Sequence, residues 1–417
     1  MPLNILIIGA GLGGLGAAIA LNRAGHNVQV LEKSSFLNEV GAAIHVAPNA
    51  SRVLKSWGCD LAWLDPVHCT RMQIWDQRGE LIVTPVVTEK HQQMLGVHDE
   101  WLLTHRVDLH SALRRTAEMG FEGRKVEIKL AAKVVSVDAE AGEVTLEDGS
   151  TYTADLIVGA DGVHPRAAYA IPGIDTSSIS TGQNCFRFLV PVSKMQDNPL
   201  TASLMNKIGL DGVHVFTAHN RRLVVYPCRG GTLLNVVGLC PSDLSSEEEK
   251  ASKGSWHTAG SREQLLNTFR DFGADLKEIC AMAEDVKLWS LASRDPAPVF
   301  YHGKLALIGD AAHPMLPHQG QGGAQALEDA AALGAVFDRD VTASKLPERL
   351  EAYNKLRYAH AVTVMMMSRM SDDRRGEMMD GLKRFVPDAQ LPRDMFAFTW
   401  LSDPVKEVRM KGVGLRL

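Results

Sequence analysis

Apolar positions fall along this chain in two patterns. The first is the unbroken run. Ile5-Leu6-Ile7-Ile8 is short, continuous and β-branched, and Asp155 to Val158 and Lys304 to Ile308 become continuous and apolar after their first residue; Val28 to Leu31 makes a further strand. Such runs mark strands buried on both faces of a parallel sheet. The second pattern alternates. Met72 to Trp75 and Leu81 to Val83 flank the turn Gln77-Arg78-Gly79 as a hairpin. Val126 to Ile128, Lys133 to Val137 and Val144 to Leu146, with the turn Glu147-Asp148-Gly149, predict a small antiparallel set. Phe186 to Val190, Gly212 to Phe216, Arg222 to Tyr226 and Leu233 to Gly238 predict a second, larger sheet.

Helical periodicity fills the intervals. Leu15 to Ala24 is Ala/Leu-rich, with Gly25 placed to stop it. Pro48-Asn49 opens a helix over Ala50 to Trp57, closed by Gly58. Asp108 is the expected N-cap of a helix through Leu113 to Ala117, with Arg106 just ahead of it. Ser261 to Phe272, Asp275 to Ala283, Ala324 to Phe337 and most of the chain from Leu346 onward are helical, Met365-Met366-Met367 being packing surface. Ser242 to Lys253 is polar and reads as a mobile loop. The chain thus starts a parallel sheet, leaves it twice and returns. The expected division is discontinuous: residues 1–66, 101–178 and 285–345 form a nucleotide-binding domain. Residues 67–100 and 179–284 form a β-sheet substrate domain, and 346–417 a helical region.

Composition adds mainly exclusions. The chain has 417 residues, a formal net charge of -5, and 45% hydrophobic and 22% charged residues, so nothing in bulk points to nucleic acid. Cys59, Cys69, Cys185, Cys228, Cys240 and Cys280 are scattered without a C-x-x-C or zinc spacing, and no metal site is expected. No apolar run reaches membrane-span length, and the apolar N-terminal stretch lacks a basic region ahead of it. A reducing, cytoplasmic compartment is the expectation.

The chemistry concentrates where apolar runs end. After Ile8 come Gly9, Gly11 and Gly14 in G-x-G-x-x-G spacing, then a helix, a strand and Glu32. The glycines permit a tight turn, close approach of a pyrophosphate and close helix–strand packing. Phosphates then meet free N–H groups at a helix N-terminus. An acid about twenty residues on is placed for ribose hydroxyls and repels a 2′-phosphate, which favours FAD or NAD over NADP at this site. The Asp155 to Val158 run ends in Gly159-Ala160-Asp161-Gly162, and the Lys304 to Ile308 run in Gly309-Asp310. Gly41-Ala42-Ala43 is a small-residue stretch against which a flat ligand could lie.

GAGLGG with Glu32, VGADGVH at 158–164 and LIGDAAHPMLPHQGQGG at 307–323 together resemble the class A flavoprotein monooxygenases of the para-hydroxybenzoate hydroxylase fold. The branch most resembled is that of salicylate hydroxylase and 6-hydroxynicotinate monooxygenase, which includes fungal secondary-metabolite hydroxylases. GAAIHVAPNA, Arg106, Phe186-Arg187, Tyr226-Pro227, Trp400 and Asp403 also fit. The resemblance implies an α/β fold: a Rossmann-type FAD-binding domain, an inserted β-sheet substrate domain and C-terminal helices. It implies non-covalent FAD, held by Gly9, Gly11, Gly14, Glu32, Lys33, Ala43, Arg106, Asp161 and Asp310, with Gly320, Gly322 and Gly323 facing the flavin pyrimidine. Pro314 would lie beside the reactive flavin edge.

Only one dinucleotide-binding unit is present, so NAD(P)H would bind transiently. The implied reaction uses O2 and a flavin C4a-hydroperoxide to hydroxylate an electron-rich aromatic small molecule: a phenolic acid, hydroxypyridine, resorcinol-type compound or indole. His45 is the expected base or proton relay, Arg187 and Tyr226 the polar groups on the substrate side. A monomer or homodimer is expected. A same-fold dehydrogenase or halogenase and a non-enzymatic FAD-binding redox module stay open, although no W-x-W-x-I-P stretch of a halogenase is found.

Overall fold

The computed structural model describes residues 2–35, 42–244, 257–369 and 375–411. Gly41 and most of the Ser242–Lys253 stretch lie outside them. A six-stranded sheet takes the apolar runs in the order Tyr301–His302, Leu305–Leu307, Leu156–Gly159, Asn4–Ile8, Asn27–Leu31, Glu127–Lys129. All pairs are parallel except the edge strand Tyr301–His302. Ile8 is level with Gly159 and with Leu31, and Gly159 is level with Leu307. The glycine turn, Glu32, Asp161 and the Gly309-Asp310 turn therefore emerge side by side at one carboxyl edge, where open α/β sheets bind ligands.

Val126 to Ile128 corrects an expectation. Its residues, as Glu127–Lys129, pair parallel with Asn27–Leu31 and extend this sheet. Only Val134–Asp138, Glu143–Leu146 and Thr151–Thr153 form the small antiparallel set. The first helix also starts earlier than expected, at Leu12. It packs on the helix Gly322–Val336 through small residues: a Cβ on Gly334 would lie 2.8 Å from Ala20 Cβ, and one on Gly13 3.3 Å from Ala326 Cβ. The N-termini of both helices reach the carboxyl edge.

An eight-stranded sheet forms the second layer, ordered His257–Ala259, Lys287–Ser293, Ile179–Pro191, Leu233–Pro241, Arg221–Cys228, Gly212–Ala218, Arg71–Asp76, Leu81–Val87. Lys287–Ser293 pairs with Ile179–Pro191, so this sheet continues past residue 284, where the expected boundary fell. Side chains alternate across it. Phe186, Phe188, Val190, Leu223, Val225, Leu234 and Val236 share a core with Met195, Leu204, Leu265 and Phe269 from the covering helices. Two of those helices, Val192–Gln196 and Pro199–Ile208, were not foreseen. Tyr226 lies on the opposite face, packed with Ala47, Trp101, Leu103 and Trp400. Arg187 and Asn235 share that face by register. No helix among the described residues is long and apolar enough to cross a membrane.

Candidate functional site

Steric limits set the shape of the glycine turn. A Cβ on Gly14 would lie 1.9 Å from Gly9 O, and Gly9, at φ +100°, is itself pressed against Ala160. Gly11 is different: it caps the Leu12–Arg23 helix and nothing stands within 4 Å of its Cβ position. The turn is thus packed from below and open above, at a helix N-terminus that favours anions. Glu32 borders it. Its carboxylate accepts the Ala10 N–H (2.7 Å) and the Ser34 N–H (2.8 Å), which fixes both oxygens and leaves each with a further lone pair.

Two carboxylates converge from the neighbouring strand ends. Asp161 Oδ2 accepts the N–H groups of Arg166 and Ala167 at 2.6 and 3.0 Å. Its Oδ1 is buried without a partner among the described residues. Burial pushes the Asp161 carboxyl up, with Lys33 acting in opposition. Burial likewise raises Asp310, against the fields of His313, Arg106 and Arg294. Arg294 was not foreseen. It is 3% exposed and donates through Nη2 to the carbonyls of Asp310 and Ala311 at 2.6 Å, so it props the turn from beneath. No local motif marks it; only the return of the chain places it there. An orphaned carboxylate oxygen, an open helix N-terminus and flanking cations fit the polar half of a dinucleotide cofactor.

Arg106 and Asp108 both lie inside the helix, contrary to expectation. The helix runs Arg106–Met119, so Arg106 is its first residue, and the cap is His105, whose Nδ1 accepts the Val107 N–H (3.3 Å). Asp108 instead pairs with Arg229 at 2.9 and 3.1 Å.

The third motif rests on a buried charged network. His313 Nε2 donates to Asp329 Oδ2 at 2.6 Å, and the Gly309 N–H donates to the same oxygen at 2.9 Å. Arg357 then donates to Asp329 (2.7 Å), Glu328 (2.6 Å) and Gln325 (2.7 Å). Asn49 and Ser402 complete the Glu328 carboxylate. Four separate chain segments are thereby tied to the first turns of the Gly322–Val336 helix.

That helix head meets the strand Ala43–Val46. A Cβ on Gly323 would lie 3.0 Å from Ile44 Cδ1 and 3.5 Å from Leu12 Cδ1. A Cβ on Gly320, at φ +59°, would fall 1.6 Å from His45 Nε2, so only glycine lets the imidazole sit against this loop. Pro314 is half-buried in the same loop. Ala43 is gripped by the second sheet: the Tyr226 hydroxyl donates to its carbonyl (3.0 Å), and its N–H donates to Asn235 Oδ1 (3.2 Å). His45 pairs with Leu103, so Trp101, two residues earlier, lies on the same face. Its indole N–H donates to His45 Nδ1 at 3.1 Å. Burial lowers His45 to about 4. Trp101 in turn packs on Trp400 and Phe396. Arg187 joins this group through Tyr226; its guanidinium touches the Cys185 thiol and lies 5.7 Å over the Trp289 ring. Its Nε is buried without a partner among the described residues. Trp101 and Asn235 were missed by the sequence reading, since only strand register brings them to His45 and Ala43.

A family model described as FAD binding domain matches residues 3–368. The FAD-dependent monooxygenase cfoG of Aspergillus candidus is 35% identical over 401 residues, spanning 94% of this chain and 90% of the relative. Hispidin-3-hydroxylase of Neonothopanus nambi is 33% identical over 366 residues, 85% of each chain. Among solved structures, a salicylate hydroxylase substrate complex superposes over 100% of this chain and 99% of that one, with a TM-score of 0.77 at 23% identity, which establishes the shared fold. With the three strand-end motifs gathered on one edge, the chain belongs to the FAD-binding-domain family, among its FAD-dependent monooxygenases.

Proposed function

We propose that this protein hydroxylates an electron-rich aromatic small molecule, with NAD(P)H as a transient reductant and O2 as the oxygen source. The single observation that carries this reading is the meeting of His45, Tyr226 and Trp101 over the Gly320 loop, with Arg187 on the same sheet face. A few polar groups in an aromatic surround suit a flat, oxygen-bearing ring. Relatives support it: one carries a hispidin hydroxylase name, and another, 30% identical, is a 3-hydroxybenzoate 6-hydroxylase. FAD, when bound, supplies the activation of oxygen.

The residues of this chain bind and orient. Gly9, Gly11, Gly14, Glu32, Lys33, Arg106, Asp161 and Asp310 hold FAD in this proposal; Ala43, Pro314, Gly320, Gly322 and Gly323 line its ring. The N-terminus of the Gly322–Val336 helix would offer N–H groups and partial positive charge to the ring of bound FAD. Burial keeps the Tyr226 phenol protonated, and its one O–H is committed to Ala43. Tyr226 therefore accepts a hydrogen bond from a substrate hydroxyl rather than donating one. Trp101, Trp400 and Leu103 exclude water from this side.

The test is a product screen. Phenolic acids, hydroxypyridines, acylated resorcinols and indoles are each offered with NADH or NADPH, and product is read by mass spectrometry alongside O2 uptake. Substrate-stimulated oxidation of NAD(P)H with an oxygenated product is expected. A protein that retains FAD but oxidises NAD(P)H identically with and without every compound would falsify the hydroxylase reading. A companion expectation concerns Asp310→Ala. Losing this carboxylate removes hydrogen-bond acceptors from a buried site, so FAD affinity and turnover fall together, affinity by about tenfold. Unchanged FAD titration in the variant would reduce Asp310 to a turn residue.

A further inference from the structure

We infer that Arg52 is a positioning residue for oxygen transfer: it pins the backbone at Trp400 and beside Trp101, so that the two indoles close one wall of the aromatic site against water. This rests on the hydroxylase reading above and adds a residue to it. Arg52 lies on the helix Pro48–Ser56, outside the aromatic group itself. Its donors go to three acceptors. Nε donates to Asp99 Oδ2 (2.8 Å), Nη1 to the Ser402 carbonyl (2.7 Å) and Nη2 to the Trp400 carbonyl (2.9 Å). Asp99 stands just ahead of Glu100 and Trp101 in the chain. Trp101 is 3% and Trp400 1% exposed, and their rings meet at 5.6 Å between centroids. One guanidinium thus holds the chain on both sides of the indole contact. A planar fork can do this; a single ammonium cannot.

The Trp400 side depends on Arg52 more. Trp400 ends a helix of six residues, Met395–Trp400, too short to persist by its own hydrogen bonds. Asp394 caps its N-terminus, with Oδ1 accepting the N–H groups of Phe396 and Ala397 at 2.9 and 3.1 Å. At the C-terminus the last carbonyls find no partner within the helix, and Arg52 supplies one. The Trp101 side has other holds: Ser51 Oγ donates to the Glu100 carbonyl (2.7 Å), and Lys55 pairs with the Glu100 carboxylate. Arg52 also borders a cavity of about 280 Å³, lined further by Asn49, Val53, Ser402, Val405 and the exposed Arg409. Asn49 and Ser402 donate to the buried Glu328 carboxylate as well. Arg52 therefore stands between a cavity at the surface and the buried interior behind Trp400. Without its three bonds, water gains a path to the aromatic site. O2 then takes the hydride of NAD(P)H, by way of FAD, together with one solvent proton, and leaves as H2O2; no oxygen atom reaches the ring.

The experiment compares Arg52→Met and Arg52→Lys with wild type, all FAD-loaded, in two arms. Amide hydrogen exchange, read on peptides by mass spectrometry, reports on the wall whatever the protein oxidises. In Arg52→Met, exchange should rise over residues 395–402 and less over 99–103. It should keep the wild-type rate in the strands Asn4–Ile8 and Leu156–Gly159. Unchanged exchange over 395–402 overturns the inference, and so does an equal rise throughout the chain. The kinetic arm uses the compound that the product screen finds oxygenated. Product formed per NAD(P)H consumed should fall about tenfold, short of the two orders of magnitude that a misplacement of about 1 Å can cost. The missing product should appear as H2O2, with FAD affinity unchanged. Arg52→Lys keeps the charge and one donor, so it should fold and fall between the other two; it carries the test if the methionine variant does not fold. Raised exchange over 395–402 with wild-type coupling, in either variant, also overturns the inference. A wild-type protein that oxygenates none of the compounds fails the hydroxylase reading instead, and the exchange arm still decides whether Arg52 holds Trp400.

Discussion

Replacing Arg357 with methionine lowers unfolding stability by about 3–5 kcal/mol, the usual cost of removing one partner from a buried ion pair. Arg357 is 1% exposed, and its two carboxylate partners are fully buried. Methionine roughly fills the volume but leaves Glu328 without its cation, beside an Asn49 and a Ser402 that cannot neutralise it, and leaves Asp329 with His313 alone. The deficit also depends on pH. Burial alone would raise Asp329; His313 and Arg357 outweigh it and hold the carboxyl well below the usual range. That stabilisation is complete above an unfolded value of about 3.9 and disappears as pH falls through the folded one. Glu328 runs the other way: burial raises it despite Arg357, so it opposes folding above an unfolded value of about 4.3. Without Arg357 both carboxyls move up, and the folded variant binds protons that the unfolded chain releases. The deficit therefore grows from about pH 4 to pH 7. Urea unfolding at pH 5 and 7.5, with FAD saturating, reads both effects. A loss below about 1 kcal/mol at pH 7.5 would mean that water reaches this network. Adding Glu328→Gln and Asp329→Asn should recover part of the loss, since neutral amides need no counter-charge.

Why this network escaped the sequence reading, while the glycine turn did not, follows from where each is encoded. The turn's own requirements are local, a positive φ at Gly9 and a contact between Gly14 and Gly9 O five residues apart, so spacing exposes them. The parallel strands were legible for a similar reason: burial on both faces leaves no polar position to interrupt the run. Sheet membership was not. Glu127–Lys129 and Lys287–Ser293 are ordinary short strands, and period-two alternation carries no label of the partner. Cap preference pointed to Asp108, but tertiary context drew that carboxylate to Arg229 and left His105 to cap the helix. Arg294, Trp101, Asn235 and Arg357 act on residues that register or chain return brings near; Trp101 and His45 are 56 positions apart. The motifs thus revealed where a cofactor's polar half would lie, and left the groups that orient the imidazole and brace the third motif to the fold.

Arg187→Ala should leave FAD binding intact and cut productive hydroxylation by a factor on the order of a hundred or more, the scale of losing one preorganised donor. Alternation along Ile179–Pro191 puts Phe186 and Phe188 into the sheet-domain core and turns Arg187 to the face shared with Tyr226 and Asn235. No ion pair holds it among the described residues, although a half-buried guanidinium ordinarily finds a carboxylate. Its neighbours are a thiol, a phenol and the Trp289 ring, none of which satisfies five N–H donors. Because Tyr226 has committed its own proton to Ala43, Arg187 is the strong donor on this face of the sheet. Without it the substrate is held mainly by packing, and misplacement by about 1 Å is enough to cost two orders of magnitude. Reduction by NAD(P)H should continue, so the missing product should appear as hydrogen peroxide. Arg187→Lys should fall between the two, keeping the charge but not the planar fork. The measurement is product formed per NAD(P)H consumed, with FAD occupancy followed in parallel. Wild-type coupling and rate in Arg187→Ala would mean that this face of the sheet carries no substrate, and would move the pocket elsewhere in the fold.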